Sequence, residues 1–246
     1  ACGFIVVTDF WQKLTGKKRD VTFTTKVIIS FTALTILAGT FLLLCSESWV
    51  AGTSWNNKIW LSFFQSMTAL TTVGFNTFPI AQMSHSAVLL LAILMLMGAS
   101  PAGTGGGIKS TTVVAVIAQT IHTLRGKINV TVLGHQIPSY RLRIASASFI
   151  FYILILVSGI YLLTLVESFP IFEIGFEAAS ALGTVGLSMG ITGSLSFLGK
   201  IIIAPLLFTN FEIYRKRHWE HHKHLGVEGE TKDAYLIEIK GGHIVL

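Results

Sequence analysis

Long apolar stretches, separated by short polar or basic segments, dominate the chain. Residues 27–46 and 144–166 are almost wholly apolar, and each approaches the length of about 20 residues that a helix needs to cross a hydrocarbon core of roughly 30 Å. Residues 59–108 contain no Asp, Glu, Lys or Arg over 50 consecutive positions. The pattern predicts an all-α integral membrane protein with several spans.

Two further apolar segments, residues 59–70 and 170–182, are too short to cross a bilayer, and each ends in a Thr-Val-Gly sequence. A half-length helix that leads into a polar, glycine-containing loop is typical of a re-entrant segment. The apolar stretch of residues 84–124 is interrupted by five glycines and a proline within residues 98–107. Such a break persists in a membrane only where protein or a water-filled cavity satisfies the freed backbone groups. We therefore expect a cavity beside this break, and a last span over residues 195–211.

Composition and charge agree with this interpretation. Hydrophobic residues make up 52% of the chain and charged residues 12%, against about 25% charged in globular proteins. The formal charge of +6 comes from basic residues in loops 13–26 and 125–143 and beyond residue 215. The positive-inside rule makes these segments cytoplasmic and puts both Thr-Val-Gly loops near the outer face. The expected surroundings are therefore membrane lipid and not nucleic acid.

The two halves of the chain repeat each other at one constant offset, which pairs Phe64 with Phe176 and Gly74 with Gly186. Six of the thirteen positions from Phe64 to Asn76 are identical to their partners in the second half, including the Thr-Val-Gly sequence itself. Each unit runs as span, short re-entrant helix, Thr-Val-Gly loop and span. This long period, tied to membrane segments, predicts a duplicated pore unit.

The two loops carry the chemistry of a monovalent-cation filter. Backbone carbonyls that face one axis can replace the water around such an ion, and glycine permits the backbone angles that this requires. Neither loop contains Asp or Glu, which would favour a divalent or less selective site. Glu173 lies in the first turn of the second short helix, where the helix dipole favours an anion. Glu177 aligns with Gln65, which favours a structural polar contact over ion binding.

Residues 103–110 superficially resemble a phosphate-binding loop of an enzyme. Ile108 stands where that motif needs glycine, and the preceding segment is an apolar span instead of a strand in a βαβ unit. The sequence therefore predicts a transport protein and not an enzyme.

Three segments together resemble the Trk/Ktr/HKT superfamily of potassium transporters: Thr-Thr-Val-Gly-Phe-Asn at residues 71–76, the glycine-rich break at residues 98–109, and Ser-Ala-Leu-Gly-Thr-Val-Gly-Leu-Ser-Met-Gly at residues 180–190. Chains of that family carry four repeats of span, pore helix, filter loop and span around a pseudo-fourfold axis. The resemblance covers residues 3–203. It implies that residues 24–125 and 126–211 are the third and fourth repeats, preceded by the end of a helix and a basic loop at residues 1–23. Residues 212–246 would be a cytoplasmic tail.

The resemblance also implies roles for individual residues. The filter would comprise Thr72, Val73, Gly74 and Phe75 with Thr184, Val185, Gly186 and Leu187, and potassium would bind at Thr72, Gly74, Thr184 and Gly186. A gate under the filter would comprise Gly98, Ala99, Ser100, Gly103, Gly105, Gly106, Gly107 and Lys109. The family's last helix usually carries a pore-facing arginine in a Gly-Arg-x-Gly-Pro-Leu-Thr stretch, whereas this chain has Ala204 and Pro205 there.

The function implied is passive or ion-coupled potassium uptake across a plasma membrane, most simply the bacterial inner membrane, and sodium or mixed transport is the alternative. This chain supplies two filter loops of the four that enclose an ion, so it would be half of a full subunit or would pair with another chain. The expected partners are a second pore subunit in a homodimer and a cytosolic regulatory ring. We expect no cofactor in this chain, since the nucleotide, ATP/ADP or NAD, would bind only to that ring.

Overall fold

The computed structural model describes residues 3–17, 20–46, 54–101, 103 and 105–206. The expected cytoplasmic tail of residues 212–246 and the end of the last span lie outside the described residues. The helices are α1 (Phe4–Leu14), α2 (Phe23–Ser46), α3 (Trp55–Leu70), α4 (His85–Leu96), α5 (Ser110–Leu124), α6 (Ser139–Val166), α7 (Ile171–Leu182) and α8 (Phe197–Leu206), and two short strands, β1 (Thr131–Val132) and β2 (His135–Gln136), precede α6. The described part of the chain is thus mostly helical, as predicted.

Helices α2 and α6, of 24 and 28 residues, are long and apolar enough to cross a membrane. They begin four and five residues earlier than the apolar runs suggest, because Lys26, Arg141 and Arg143 are included in their first turns. Large apolar side chains of α6, such as Phe151 and Tyr161, are more than 60% exposed. A helix that is apolar on all sides but largely uncovered is suited to a lipid environment.

The described chain contains two successive sets of a long helix, a short helix, a Thr-Val-Gly loop and a further apolar helix. The first set is α2, α3 and α4, with α5 continuing beyond the glycine-rich break, and the second is α6, α7 and α8. Helix α4 contacts α2 and α3 of its own set and α7 of the other, while α5 contacts α6. Leu91 and Met95 of α4 are fully buried with Ile174 and Phe176 of α7 in the main hydrophobic core. The shared core holds the two sets, and hence their loops, in one arrangement.

A buried carboxylate joins α1 to the start of α2. Asp9 is 4% exposed and accepts hydrogen bonds from the backbone N–H of Thr22 at 3.1 Å, from the Thr22 hydroxyl and from the Thr25 hydroxyl at 2.6 Å. Negative charge at a helix N-terminus is favourable because of the helix dipole and the free N–H groups of the first turn. Asp9 thereby positions α1 at the cytoplasmic end expected for α2.

The strands β1 and β2 form a hairpin that the all-α prediction omits. Thr131 pairs with Gln136 and Val132 with His135, and the two turn residues Leu133 and Gly134 both have positive φ, at 47° and 78°. Strands of two residues are too short to show an alternating pattern, and the turn lacks the Asn-Gly or Asp-Gly signal of such hairpins.

We expect Gly39→Val to destabilise the protein, because Gly39 of α2 packs directly against α3 and α4. A Cβ there would meet the Ser66 hydroxyl and lie 3.1 Å from Leu94 Cδ1, and Ser66 Oγ already donates to the Ile36 carbonyl at 3.2 Å. Overpacking of this kind costs about 1–3 kcal/mol. The measurement is the thermal unfolding midpoint of the detergent-solubilised protein.

Gly193→Val is the matched control, since nothing lies within 4 Å of a Cβ at Gly193. Equal unfolding midpoints for the two variants would contradict the packing described for α2, α3 and α4.

Candidate cation filter and glycine loop

The first filter loop, residues 72–75, follows directly from the end of α3. The backbone N–H groups of Thr71, Thr72 and Val73 donate to the carbonyls of Met67, Ala69 and Thr68, at 2.9, 3.4 and 3.1 Å. The last carbonyls of a helix have no partner within the helix. The loop therefore starts by folding its own N–H groups back onto the end of α3.

The second filter loop, residues 184–187, repeats this arrangement at the matching positions of the second half. The N–H groups of Gly183, Thr184 and Val185 donate to the carbonyls of Ala179, Ala181 and Ser180, each at 2.9 Å. One further bond occurs only here: the Gly186 N–H donates to Ser180 Oγ at 3.2 Å, whereas Oγ1 of the matching Thr68 is buried without a hydrogen-bond partner.

Both loops have the same alternation of backbone angles. Thr72 and Thr184 have positive φ, at 56° and 50°, and so do Gly74 and Gly186, at 78° and 95°. The valine between each pair does not. A β-branched residue in the left-handed region is strained, so its occurrence at two repeat-related positions marks a site held by its surroundings. Alternating φ signs also bring successive N–H groups to one side of the chain and carbonyls to the other.

The carbonyls of these loops take no part in the hydrogen bonds that hold the loops. Among the described residues, no donor is hydrogen-bonded to the carbonyl oxygen of Thr72, Val73, Thr184 or Val185. The two loops meet where Gly74 packs against the Val185 carbonyl, which a Cβ on Gly74 would overlap, and against Gly186. Helices α3 and α7 both end at these loops, and the negative end of a helix dipole favours a cation there. The arrangement can accept a dehydrated cation and would repel an anion.

The glycine loop, residues 98–109, begins and ends at a narrow neck. A Cβ on Gly98 would lie 2.5 Å from the Gly107 Cα. The two chain segments that form the neck can therefore come this close only because both positions are glycine. The Ala99 N–H donates to the Gly106 carbonyl at 3.2 Å, and the Ile108 N–H to the Leu96 carbonyl at 3.0 Å. These bonds account for backbone groups that the break in the helix would otherwise leave unpaired.

The C-terminal side of the glycine loop packs against both filter loops. A Cβ on Gly105 would lie 2.5 Å from Thr72 Oγ1, and one on Gly106 would overlap Thr184 Oγ1 and the Gly183 carbonyl. The loop thus lies at the ends of α3 and α7, beside the threonines with which the two filter loops begin. All three segments that the sequence singled out come together at this point.

Two side chains of the glycine loop fix its shape. Lys109 Nζ donates to the Gly105 carbonyl at 2.6 Å, which closes the C-terminal half of the loop on itself. Ser100, 2% exposed, accepts a hydrogen bond of 2.5 Å from the Gly3 N–H at the start of α1. Gly103 donates its N–H to the Ser100 carbonyl at 3.2 Å. The ammonium group of Lys109 is therefore hydrogen-bonded within its own loop.

Sequence reasoning left Gln65 and Glu177 out of the site, yet both side chains hold the outer part of a filter loop. Gln65 Oε1 accepts the Thr77 N–H at 3.2 Å, and Glu177 Oε1 accepts the Met189 N–H at 2.9 Å. Each bond spans twelve residues, from position i of the short helix to position i + 12 beyond the loop. The polar contact expected for Glu177 is present. Aligning the two repeats could have indicated that its partner is the backbone N–H of Met189.

The predicted filter side chains differ in burial between the loops. Val185 and Leu187 are buried in the core, at 5% and 2% exposure, whereas the matching Val73 and Phe75 are 51% and 69% exposed. The reason is that α4 and α7 lie together, so the second loop is covered by the first set of helices. No described element covers the corresponding face of the first loop.

The fold is similar to that of a solved transporter. The crystal structure of the potassium transporter TrkH from Vibrio parahaemolyticus matches 89% of this chain and 48% of its own chain, with a TM-score of 0.65 at 20% identity. At this identity the similarity concerns the fold, which is that of a membrane-embedded transporter.

Sequence relatives name the family. The Ktr system potassium uptake protein D of Bacillus subtilis is 36% identical over 213 residues, covering 85% of this chain and 47% of that protein. The potassium/sodium uptake protein NtpJ of Enterococcus hirae is 34% identical over 214 residues, covering 84% of this chain and 47% of that protein. The family model for the TrkH cation transport proteins matches residues 15–209. This chain therefore belongs to the TrkH family of cation transport proteins, within the Trk/Ktr superfamily, and it spans about half the length of the relatives it matches.

We expect Gly106→Ala to separate the glycine loop from the second filter loop, because its methyl group would overlap the Gly183 carbonyl, which is fixed backbone. The strain of overpacking is about 1–3 kcal/mol. Hydrogen–deuterium exchange over residues 98–109 should become faster than in the unmodified protein.

Gly103→Ala serves as the control within the same loop, because its nearest neighbour would be the Ser100 carbonyl at 3.1 Å and no filter residue. Exchange that is equally fast in both variants would contradict the contact between Gly106 and the second filter loop.

Proposed function

We propose that this chain forms part of a potassium uptake pore, in which the two filter loops bind the ion through backbone carbonyls. The observation that carries the proposal is the hydrogen bonding of each loop. The first N–H groups donate to carbonyls at the end of a short helix, whereas the loop carbonyls accept from no donor among the described residues. Carbonyl oxygens can replace the hydration shell of a monovalent cation. The ion sites lie at Thr72 and Gly74 and at Thr184 and Gly186.

Potassium is the favoured ion. Both loops have glycine at their third position and neither has an acidic residue, and the B. subtilis relative is named a potassium uptake protein. Sodium or mixed transport is the second candidate, because the E. hirae relative, of similar identity, is named a potassium/sodium uptake protein.

Two further filter loops complete the pore in a pseudo-fourfold arrangement. This chain contributes two loops and matches about half of its relatives' length, and the exposed Val73 and Phe75 leave an open face beside the first loop. The complete pore subunit forms a homodimer in the plasma membrane and binds a cytosolic ring that carries the regulatory nucleotide.

The glycine loop is the gate of this pore. It packs against Thr72 and Thr184 at the point where both short helices end, so that an ion leaving the filter toward the cytoplasm meets it first. Movement of the regulatory ring displaces the loop and opens the path. Lys109 contributes by holding the closed shape through its bond to the Gly105 carbonyl.

We expect Gly74→Ser to lower the preference for potassium over sodium on the order of tenfold, which corresponds to about 1.4 kcal/mol of differential binding. Gly74 has φ of 78°, and a Cβ there would overlap the Val185 carbonyl, so both loops must shift. The measurement is Rb⁺ uptake, with Na⁺ as competitor, into liposomes that carry the full-length subunit.

Gly193→Ser is the matched control, since its Cβ would meet nothing. An unchanged ion preference in Gly74→Ser would reject the filter assignment, and an absence of Rb⁺ uptake by the unmodified subunit would reject potassium uptake altogether. Reversal potentials in K⁺ and Na⁺ gradients decide between the two candidate ions.

We expect Lys109→Met to raise Rb⁺ uptake severalfold when no regulatory partner is present. The variant keeps the length of the side chain but loses the hydrogen bond to the Gly105 carbonyl, and a hydrogen bond to a charged group contributes about 1.5–3 kcal/mol. The closed loop is therefore less stable relative to the open one. Initial uptake rates in liposomes measure the effect.

Lys200→Met controls for loss of a lysine, because Lys200 Nζ also donates to a glycine carbonyl, that of Gly193, at 3.3 Å but outside the glycine loop. If Lys109→Met and Lys200→Met leave the initial rate equally unchanged, Lys109 does not hold the gate closed.

A further inference from the structure

Behind the outer part of each filter loop lies a side-chain oxygen that fixes the loop from the side of the short helix. In the second loop this oxygen belongs to Glu177, which is 4% exposed and accepts three hydrogen bonds. Its Oε1 accepts from Ser188 Oγ at 2.5 Å and from the Met189 N–H at 2.9 Å, and its Oε2 accepts from Thr192 Oγ1 at 2.5 Å. The carboxylate thus holds residues 188–192 as one unit.

The matching contact in the first loop is made by a neutral oxygen. Gln65, fully buried, accepts the Thr77 N–H at 3.2 Å and contacts the Thr77 hydroxyl at 3.5 Å. The position is therefore occupied by an acceptor oxygen in both repeats, although only one of the two side chains can be charged. In both repeats a side-chain oxygen of the short helix accepts a hydrogen bond from the backbone N–H of the residue twelve positions later.

We infer that Glu177 is a positioning residue for the ion site, and that it acts through its acceptor oxygen and not through its charge. This inference rests on the proposed potassium filter. Glu177 does not reach the filter carbonyls, but it fixes the chain immediately after Leu187, and Ser188 in turn accepts the Gly190 N–H at 2.8 Å. A loop fixed at both ends keeps its carbonyls at one spacing, which sets how well a given cation replaces its hydration shell.

The geometry allows glutamine to replace Glu177 while Ser188, Met189 and Thr192 each keep a hydrogen bond to the side chain. Ser188 Oγ and Thr192 Oγ1 are 2.9 Å apart, and either atom can donate to the other. The amide of a glutamine would donate to Thr192 Oγ1, Thr192 would donate to Ser188, and Ser188 would donate to the glutamine oxygen. The Met189 N–H keeps its acceptor in this arrangement. Alanine, by contrast, would leave the Met189 N–H without its acceptor.

The test compares Glu177→Ala with Glu177→Gln in the full-length subunit in liposomes. Glu177→Ala should raise the KM for Rb⁺ about tenfold, because the Met189 N–H and the two hydroxyl groups lose their acceptor, and should weaken the preference over Na⁺. Vmax should change much less. Glu177→Gln should restore both KM and preference close to the unmodified values. Glu173→Ala is the matched control, because it removes a carboxylate one turn earlier on the same helix.

Two results would overturn the inference. One is an unchanged KM in Glu177→Ala; the other is a Glu177→Gln variant as impaired as Glu177→Ala, which would assign the effect to charge. If Glu177→Ala does not fold, Thr192→Val decides, since Thr192 is exposed and its loss removes one of the three bonds. A raised KM supports the inference, and an unchanged KM rejects it.

A second measurement separates this inference from the proposed transport function. Hydrogen–deuterium exchange at residues 186–192 needs no transport, and it should become faster in Glu177→Ala or Thr192→Val but not in Glu173→Ala. If the unmodified subunit takes up no Rb⁺, the transport proposal fails while exchange still tests the positioning role. Unchanged exchange at residues 186–192 rejects that role whatever the uptake.

Discussion

Backbone polar groups inside a membrane need partners, and this requirement governs the structure around the candidate site. Helices satisfy it internally, but the filter loops and the glycine loop cannot. The filter loops divide their groups: the first N–H groups of each loop donate to the last carbonyls of α3 or α7, while the carbonyls of Thr72, Val73, Thr184 and Val185 have no donor among the described residues. The backbone groups without a hydrogen-bond partner are therefore all carbonyl oxygens, and they lie at the C-terminal ends of α3 and α7.

The strained backbone of the two filter loops also depends on these hydrogen bonds. Thr72 and Thr184 take left-handed backbone angles, which cost on the order of 1–3 kcal/mol for each residue. Hydrogen bonds to the short helices on one side, and Gln65 or Glu177 on the other, hold the loops in this shape. The glycine loop then fits against the threonines because Gly105 and Gly106 have no Cβ to collide with them.

The two repeats are alike in backbone and different in environment. Their loops share three N–H bonds and the same φ alternation, yet the second loop is buried by α4 and its neighbours while the first exposes Val73 and Phe75. The second loop also gains the bond from Gly186 to Ser180, whereas the matching Thr68 hydroxyl is unpaired. The two loops therefore share one backbone geometry, while the side chains that support them differ with the surrounding packing.

Hydropathy, length and the constant offset between the two halves were enough to predict the long helices α2 and α6, the short helices α3 and α7 and the positions of both Thr-Val-Gly loops, because a bilayer imposes helix lengths and a repeated unit repeats its residue pattern. They also indicated Gly74, Gly186 and the glycine loop as chemistry-bearing segments. Other features depend on contacts between residues far apart in the chain. The approach of Gly105 to Thr72, of Gly106 to the Gly183 carbonyl and of Gly74 to the Val185 carbonyl arises only when the helices that carry these loops pack together. Periodicity reports which face of a helix is apolar, whereas these features depend on which backbone atoms meet across the core.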